Sequence, residues 1–275
     1  MSFVLSPQTV EEAVGLLLDL PDALPMSGGA SLVAMKNARL IEASHFVSLA
    51  GIASLHGITQ TDSGLRIGGM TRHAQIAACD LLTGDLGMVR HAAGQIANRV
   101  VRNMGTIGGA VGNADPAADF LPVLACADAR IELTGPDSSR LVAMEDYITG
   151  WYETLRAPAE IVTAIHLPAP RPYPSVYRKL CRVPGDYATA SVACASFGDG
   201  VRVAVGACGP GPIRSPEAEA ALQGKLRDAS AIAALGAALA DLADPVDDVR
   251  GTSEFRLRLI PRMVAAAISD LDGES

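Results

Sequence analysis

Apolar and polar positions alternate along the chain in short stretches, some with helical spacing and some with strand spacing. After Thr9, the apolar positions from Val10 to Leu18 recur three and four residues apart, which predicts an amphipathic helix. The short segments 65–69 and 161–167 and the segment 129–134, in which apolar and polar residues alternate, predict strands. Helices and strands are therefore expected to intermingle along the first 170 residues.

A proline-rich segment marks the clearest domain boundary. Prolines at 168, 170, 172 and 174 predict a stiff, extended link. After it, the pattern predicts three strands and then three helices, the last helix kinked or interrupted at Pro261. The sequence thus predicts an α+β protein in three parts, with a small C-terminal sheet backed by helices. The predicted domains are 1–55, 56–170 and 171–275.

The highest density of glycine lies between Asn103 and Asp119. Four glycines fall within eight positions there, at 105, 108, 109 and 112. Such density is typical of a backbone that adopts positive φ or that another molecule approaches closely. The apolar periodicity predicts one helix over 89–102 before this segment, and Asp119 is expected to cap a second helix that follows it. A capping role and a ligand-binding role both stay open for Asp119.

Another glycine segment, the first in chain order, follows a short predicted strand at 24–26, so the one at 103–119 is the second. The residues Ser27-Gly28-Gly29-Ala30-Ser31 then open a helix. A strand, a glycine turn and a helix N-terminus can direct backbone N–H groups at a phosphate, although β–turn–α junctions also use glycine for structural reasons alone. Neither G-x-G-x-x-G nor the P-loop signature occurs, which disfavours NAD in a Rossmann domain and ATP in a P-loop.

Composition narrows the classes of function. The 275 residues carry a formal net charge of −8 and form no basic cluster, which argues against binding to nucleic acid or to an anionic membrane surface. No apolar run is long enough to span a membrane, and no signal peptide is recognisable, so a cytoplasmic location is expected. The five cysteines are widely spaced, so no metal or iron–sulfur site is expected in this chain.

Taken together and in order, the glycine segments and two later motifs resemble a known family. The motifs are Ser27-Gly28-Gly29-Ala30-Ser31, Ile67-Gly68-Gly69-Met70-Thr71, Thr106-Ile107-Gly108-Gly109 with Ala114-Asp115-Pro116-Ala117-Ala118-Asp119, Tyr177-Arg178-Lys179, and Gly185-Asp186-Tyr187-Ala188. They resemble the FAD-binding medium subunit of the molybdenum hydroxylases, the family of carbon monoxide and xanthine dehydrogenases. The resemblance implies a two-part FAD-binding domain of the vanillyl-alcohol-oxidase-like type, followed by a three-stranded sheet with helices.

The resemblance also implies partners and a function. In that family a large subunit oxidises the substrate at a molybdopterin centre, and [2Fe–2S] clusters in a small subunit pass the electrons on. FAD in the medium subunit hands them to a terminal acceptor. The chain is therefore expected to be an electron-transfer subunit of a heterotrimer, assembled as a dimer of heterotrimers. Substrate and acceptor are not predicted.

By position, the resemblance assigns the FAD contacts to the two glycine segments. It also assigns contacts to the end of the helix that precedes segment 106–110, and to three further residues. The diphosphate is expected between segments 25–32 and 106–110, and the pair 96–97 is expected on the flavin side. The assigned residues are Pro25, Met26, Ser27, Gly28, Gly29, Ala30, Ser31, Leu32, Ile96, Ala97, Thr106, Ile107, Gly108, Gly109, Ala110, Asp119, Val162 and Lys179.

Two residues depart from the family pattern. Ala110 stands where relatives often carry Asn or Ser, so a possible side-chain hydrogen bond is missing, with a cost of about 0.5–1.5 kcal/mol. Val183 stands where a second arginine commonly follows Arg182. Two other functions stay open: a stand-alone flavin oxidase of the same fold, and an assembly subunit without a cofactor.

Overall fold

The chain folds into three successive units, each built from a sheet and helices. The computed structural model describes residues 2–273, so residues 1, 274 and 275, at the outer ends of the first and third predicted domains, lie outside the described part. The α+β class is confirmed. The predicted boundaries near 55 and 170 stay a prediction.

The first unit is a parallel three-stranded sheet in the order β1-β3-β2. The Thr9 hydroxyl accepts a hydrogen bond from the Glu12 N–H at 3.1 Å and so begins the first helix where the sequence predicts it. The elements are β1 (Phe3–Leu5), α1 (Val10–Asp19), β2 (Ala23–Met26), α2 (Ala30–Asn37) and β3 (His45–Ser48).

The second unit is an antiparallel five-stranded sheet in the order β4-β5-β10-β6-β7, with a separate small hairpin of β8 and β9. Its strands are β4 (Ile58–Thr61), β5 (Gly64–Gly68), β6 (Arg130–Thr134), β7 (Ser139–Ala143), β8 (Ile148–Gly150), β9 (Glu153–Thr154) and β10 (Ile161–Pro168). Its helices are α3 (His73–Ala77), α4 (Gly87–Gln95), α5 (Arg99–Met104), α6 (Ile107–Asn113), α7 (Phe120–Cys126) and α8 (Met144–Tyr147).

The third unit is an antiparallel sheet in the order β11-β12-β13 with helices behind it, which confirms the expected C-terminal part. Its elements are β11 (Ser175–Leu180), β12 (Ala190–Ser196), β13 (Val201–Gly206), α9 (Pro216–Ala221), α10 (Ala229–Asp241) and α11 (Ser253–Gly273). Helix α11 continues through Pro261, so the expected interruption there is wrong. Gly236 of α10 lies against the proline backbone at this point.

Helix α7 lies between the second and third units, and every one of its residues is buried. It packs against β12 and β13 on one side and against α4 and α6 on the other. The largest core cluster accordingly combines residues of the second unit with Tyr177, Ala193 and Ala204 of the C-terminal sheet. The third unit therefore completes the core of the second.

The predicted helix over 89–102 is wrong, because the structure divides it in two. Helix α4 ends at Gln95, Ala97 adopts a positive φ of 41°, and the Asn98 carboxamide accepts a hydrogen bond from the Val101 N–H at 3.0 Å to begin α5. The sequence signal for the break was Asn98, a residue type that favours helix N-caps.

The predicted start of α3 is also wrong. Thr71 is not its N-cap, since its hydroxyl donates to the Gly57 carbonyl at 2.9 Å and the helix begins after Arg72. Thr71 thereby fastens the Gly68–Gly69 turn to the loop before β4.

Candidate functional site

The first glycine segment presents a group of unpaired backbone donors. Pro25 and Met26 end β2, Gly29 adopts φ +73° as the N-cap of α2, and 30–32 form its first turn. The Val33 N–H donates to the Gly29 carbonyl at 3.0 Å. Within the described part of the chain, the N–H groups of residues 28–32 have no acceptor. Five such donors at a helix N-terminus favour an anion.

The second glycine segment is folded differently from the expectation. Residues 107–110 form the first turns of α6 and follow Thr106, whose hydroxyl accepts a hydrogen bond from the Gly109 N–H at 3.1 Å. The N–H groups of Ile107, Gly108 and Ala110 donate to the carbonyls of Thr71, Gly69 and Thr106. Residues 107–110 therefore have no free N–H group to offer a diphosphate.

The glycines of the two segments allow neighbouring parts of the chain to pack closely against each other. A Cβ at Gly28 would lie 1.9 Å from the Met104 carbonyl oxygen, and one at Gly108 would lie 2.6 Å from the Gly69 carbonyl oxygen. A Cβ at Gly109 would lie 3.3 Å from the Ser27 Cβ. The two segments therefore touch each other, and α6 forms a wall beside the free donors.

Ile96 and Ala97 form the turn between α4 and α5. The Arg102 guanidinium donates to the carbonyls of Ile96 and Ala97 at 2.8 and 2.9 Å. Gly185 approaches from the C-terminal unit, where a Cβ would lie 2.7 Å from the Ala97 carbonyl oxygen. Arg102 and Gly185 thus hold the turn from two sides, although they are far apart in sequence.

Val162 joins the central strand of the second sheet to the second glycine segment. It is buried at an irregularity in the pairing of β10 with β6. Its carbonyl oxygen would lie 2.3 Å from a Cβ at Gly69, and its Cγ2 would lie 3.9 Å from one at Gly112. Gly69 in turn accepts from Gly108. Val162 therefore lies behind α6.

Asp119 and Lys179 form a buried ion pair across the boundary between the second and third units. The Lys179 Nζ lies 2.9 Å from Oδ1 and 3.0 Å from Oδ2 of Asp119, and its side chain is 2 % exposed. The Tyr177 hydroxyl donates to the same carboxylate at 2.6 Å. Asp119 stands at the N-cap position of α7, as predicted, but its carboxylate makes no capping bond to the helix and pairs with Lys179 instead. Burial and the Asp119 charge raise the pKa of Tyr177 well above its usual value, which keeps the phenol a donor.

His73 lies buried beneath Gly105, at the start of the second glycine segment. A Cβ at Gly105 would lie 2.5 Å from the His73 Nε2, and the imidazole packs against the Phe120 ring. Burial, and secondly the charge of Arg102, lower the pKa of His73 to about 4. The imidazole is therefore neutral at pH 7 and acts as a spacer under the glycines.

Sequence reasoning missed four residues that position the site: His73, Arg102, Tyr177 and Gly185. Tyr177 and Gly185 stand within the motifs that carry the resemblance, so the resemblance contained a signal for them. Arg102 and His73 carry no local signal, because their partners are defined only by the tertiary fold.

These features define the class of site. The site combines five unpaired N–H groups, a wall lined with glycines, and the buried Lys179 ammonium, which is paired with the Asp119 carboxylate. These groups suit a ligand with an anionic diphosphate and polar ring groups. A flavin dinucleotide has both. The residues present therefore fit the cofactor that the sequence resemblance implies.

Comparison with known proteins identifies the family. The family described as FAD binding domain in molybdopterin dehydrogenase matches residues 1–170, and the CO dehydrogenase flavoprotein C-terminal domain matches residues 175–271. The chain belongs to this family of FAD-binding medium subunits of molybdopterin-dependent dehydrogenases. It is an oxidoreductase subunit whose cofactor is FAD.

Individual relatives match over nearly the whole chain. The carbon monoxide dehydrogenase medium chain of Afipia carboxidovorans is 36% identical over 269 residues, covering 95% of this chain and 93% of the relative. The glyceraldehyde dehydrogenase medium chain of Sulfolobus acidocaldarius is 31% identical, with 96% of each covered. A crystal structure of the Cu,Mo-CO dehydrogenase matches with a TM-score of 0.94 and 33% identity, covering 100% of this chain and 98% of that one.

Two other kinds of site, a membrane span and a metal centre, are not found in the described residues. None of the helices in residues 2–273 combines the length and apolar character needed to cross a bilayer. Within the same residues, no three His, Cys, Asp or Glu side chains converge as a metal site would require.

Proposed function

We propose that this chain is the electron-transfer subunit of a molybdenum hydroxylase complex, in which FAD receives electrons from the [2Fe–2S] clusters of a partner and passes them to a terminal acceptor. The observation that carries the proposal is the set of unpaired N–H groups at residues 28–32, lying against α6. Bound FAD supplies the redox chemistry, and the protein binds and orients it.

Each assigned residue then has a physical role. The unpaired N–H groups of residues 28–32 bind the diphosphate. Residues 106–110 form the wall that keeps the dinucleotide against those donors, and Val162 supports that wall from behind. Ile96 and Ala97 present a rigid turn to the flavin. Lys179, held by Asp119, supplies a buried positive charge beside it.

The assembly partners follow from the relatives, which are named medium chains or subunits of larger dehydrogenases. The partners proposed here are a large molybdopterin subunit and a small [2Fe–2S] subunit, in a dimer of heterotrimers in the cytoplasm. Co-expression with these partners, followed by native mass and metal analysis, tests the assembly. A fully active single chain without molybdenum or iron would contradict it.

Gly29→Ala tests the first glycine segment. The substitution places a Cβ on a residue with φ +73° at the N-terminus of α2, and FAD affinity is expected to fall about tenfold or more, which corresponds to about 1.4 kcal/mol. The measurement is FAD fluorescence during titration of the cofactor-depleted complex.

Gly224→Ala is the matched control. Gly224 has φ +72°, and a Cβ added there would have no atom within 4 Å, so the backbone strain is the same while the position is far from the proposed site in sequence. Both variants are expected to lose similar stability, but Gly224→Ala should bind FAD like the parent. Equal affinities in the two variants would remove the first segment from the site.

A further inference from the structure

A row of buried polar groups leads from the middle of the C-terminal sheet to Asp119. Ser191 on β12 lies opposite Lys179 on β11 and is 2 % exposed. On the neighbouring strand, the Tyr177 phenol donates to Asp119 at 2.6 Å. Tyr177 and Lys179 are two residues apart on one strand, so both side chains point to the same face of the sheet.

The fold makes room for this row. Gly206 on β13 is the other cross-strand neighbour of Ser191, and a Cβ there would lie 2.7 Å from the Ser191 Oγ. Any larger residue at 206 would displace the hydroxyl or the strand. The glycine at 206 therefore leaves space for the Ser191 hydroxyl beside Lys179.

The Lys179 ammonium retains a donor that the protein does not use. An ammonium has three N–H groups, and the two short contacts of Lys179 both go to the Asp119 carboxylate. No other acceptor for it occurs in the described residues. A buried donor without a partner is costly, so this one suits a ligand acceptor.

We propose that Tyr177 is a positioning residue for the flavin. Its hydrogen bond to one oxygen of Asp119 fixes the carboxylate, so that Lys179 keeps one N–H for the flavin. The Lys179 charge then raises the reduction potential of the flavin. This rests on the proposed function. A positive charge beside the flavin favours its reduced, more negative form, whereas an unshared carboxylate opposes it. Without the phenol, the Asp119 charge is less compensated and engages Lys179 more fully.

The test compares the FAD midpoint potential of the assembled complex in Tyr177→Phe, in Lys179→Met and in the parent. Tyr177→Phe is expected to retain stoichiometric FAD, with the dissociation constant within about fivefold of the parent for the loss of one hydrogen bond. Its midpoint potential should fall in the same direction as that of Lys179→Met, and by less. Tyr147→Phe is the control, since Tyr147 is also buried but lies in α8 and makes no hydrogen bond to Asp119.

The inference is overturned if Tyr177→Phe has the parent potential, or if Tyr147→Phe shifts it equally. Should Tyr177→Phe fail to fold, Asp119→Asn takes its place, because it removes the charge that Tyr177 and Lys179 compensate: a raised potential supports the inference, and an unchanged or lowered potential overturns it. A parent complex that binds no FAD would refute the proposed function instead, so the two failures are distinguishable.

Discussion

At the scale of single residues, the site depends on side chains that never need to touch the cofactor. His73 is one of them, because its neutral ring fills the space under Gly105 that allows the second glycine segment to lie close. A protonated imidazole in this buried position, near the Arg102 charge, would be unfavourable.

His73 therefore makes stability depend on pH. Its folded pKa of about 4 lies below the ordinary histidine value of 6.5, so between these values the unfolded chain binds more protons and stability falls as pH falls. The full effect is on the order of 3 kcal/mol. Urea unfolding is expected to show about 2 kcal/mol of this loss between pH 7 and pH 5 in the parent, and a smaller loss in His73→Gln.

The control for this prediction is His56→Gln. His56 is exposed, and its ring is hydrogen-bonded to the Ala50 carbonyl at 3.2 Å, so this variant should keep the parent's pH dependence. If His73→Gln and His56→Gln respond to pH alike, His73 does not carry the effect.

At the scale of elements, the break between α4 and α5 is the feature that most affects the proposed flavin side. In a continuous helix, Ile96 and Ala97 would be ordinary helical residues and would form no turn. The positive φ of Ala97 instead turns the chain between α4 and α5. The Arg102 guanidinium stabilises the two carbonyls that the break leaves without helical partners.

Arg102→Met is expected to loosen this turn. The loss of two charged hydrogen bonds should destabilise the break by about 1–3 kcal/mol and weaken FAD binding to a similar degree, because the turn no longer has one fixed shape. FAD titration and hydrogen exchange at the α5 amides measure both effects. Arg99→Met is the control, since Arg99 is an exposed residue of the same helix. Parent affinity in Arg102→Met would contradict the assigned role of the turn.

The elements also show what the sequence could predict. Strands such as β10 and helices such as α7 lie close to their predicted positions, because their signals are local: alternating or periodic apolar residues, with a capping or proline residue at the start. The break at Ala97 was not predicted, because apolar residues continue with helical spacing across it and Arg102 acts through tertiary contacts. The resemblance assigned both Asp119 and Lys179, sixty residues apart, to the cofactor site, but it did not predict that they pair with each other.

At the scale of the whole molecule, the FAD-binding part and the C-terminal part are not independent. Helix α7 is buried from both sides, and Tyr177 and Lys179 reach Asp119 from the C-terminal sheet. Arg202 adds an ion pair to Asp128 at 2.6 Å across the same boundary. The boundary predicted from four prolines therefore separates segments of the chain that share one core.

A fragment of residues 1–170 is accordingly expected to be unstable and to bind no FAD. Removing the third unit exposes the face of α7 that packs on β12 and β13, and each large apolar side chain transferred to water costs about 1.5–3 kcal/mol. It also leaves Asp119 without Lys179. Co-expression of residues 171–275 as a separate chain should restore solubility and FAD binding, because this chain can cover α7 and supply Lys179 without being covalently linked. Size-exclusion chromatography and the flavin absorbance of the two preparations measure this. A soluble 1–170 fragment with parent affinity for FAD would contradict this prediction, because it would show that neither the core nor FAD binding needs the third unit.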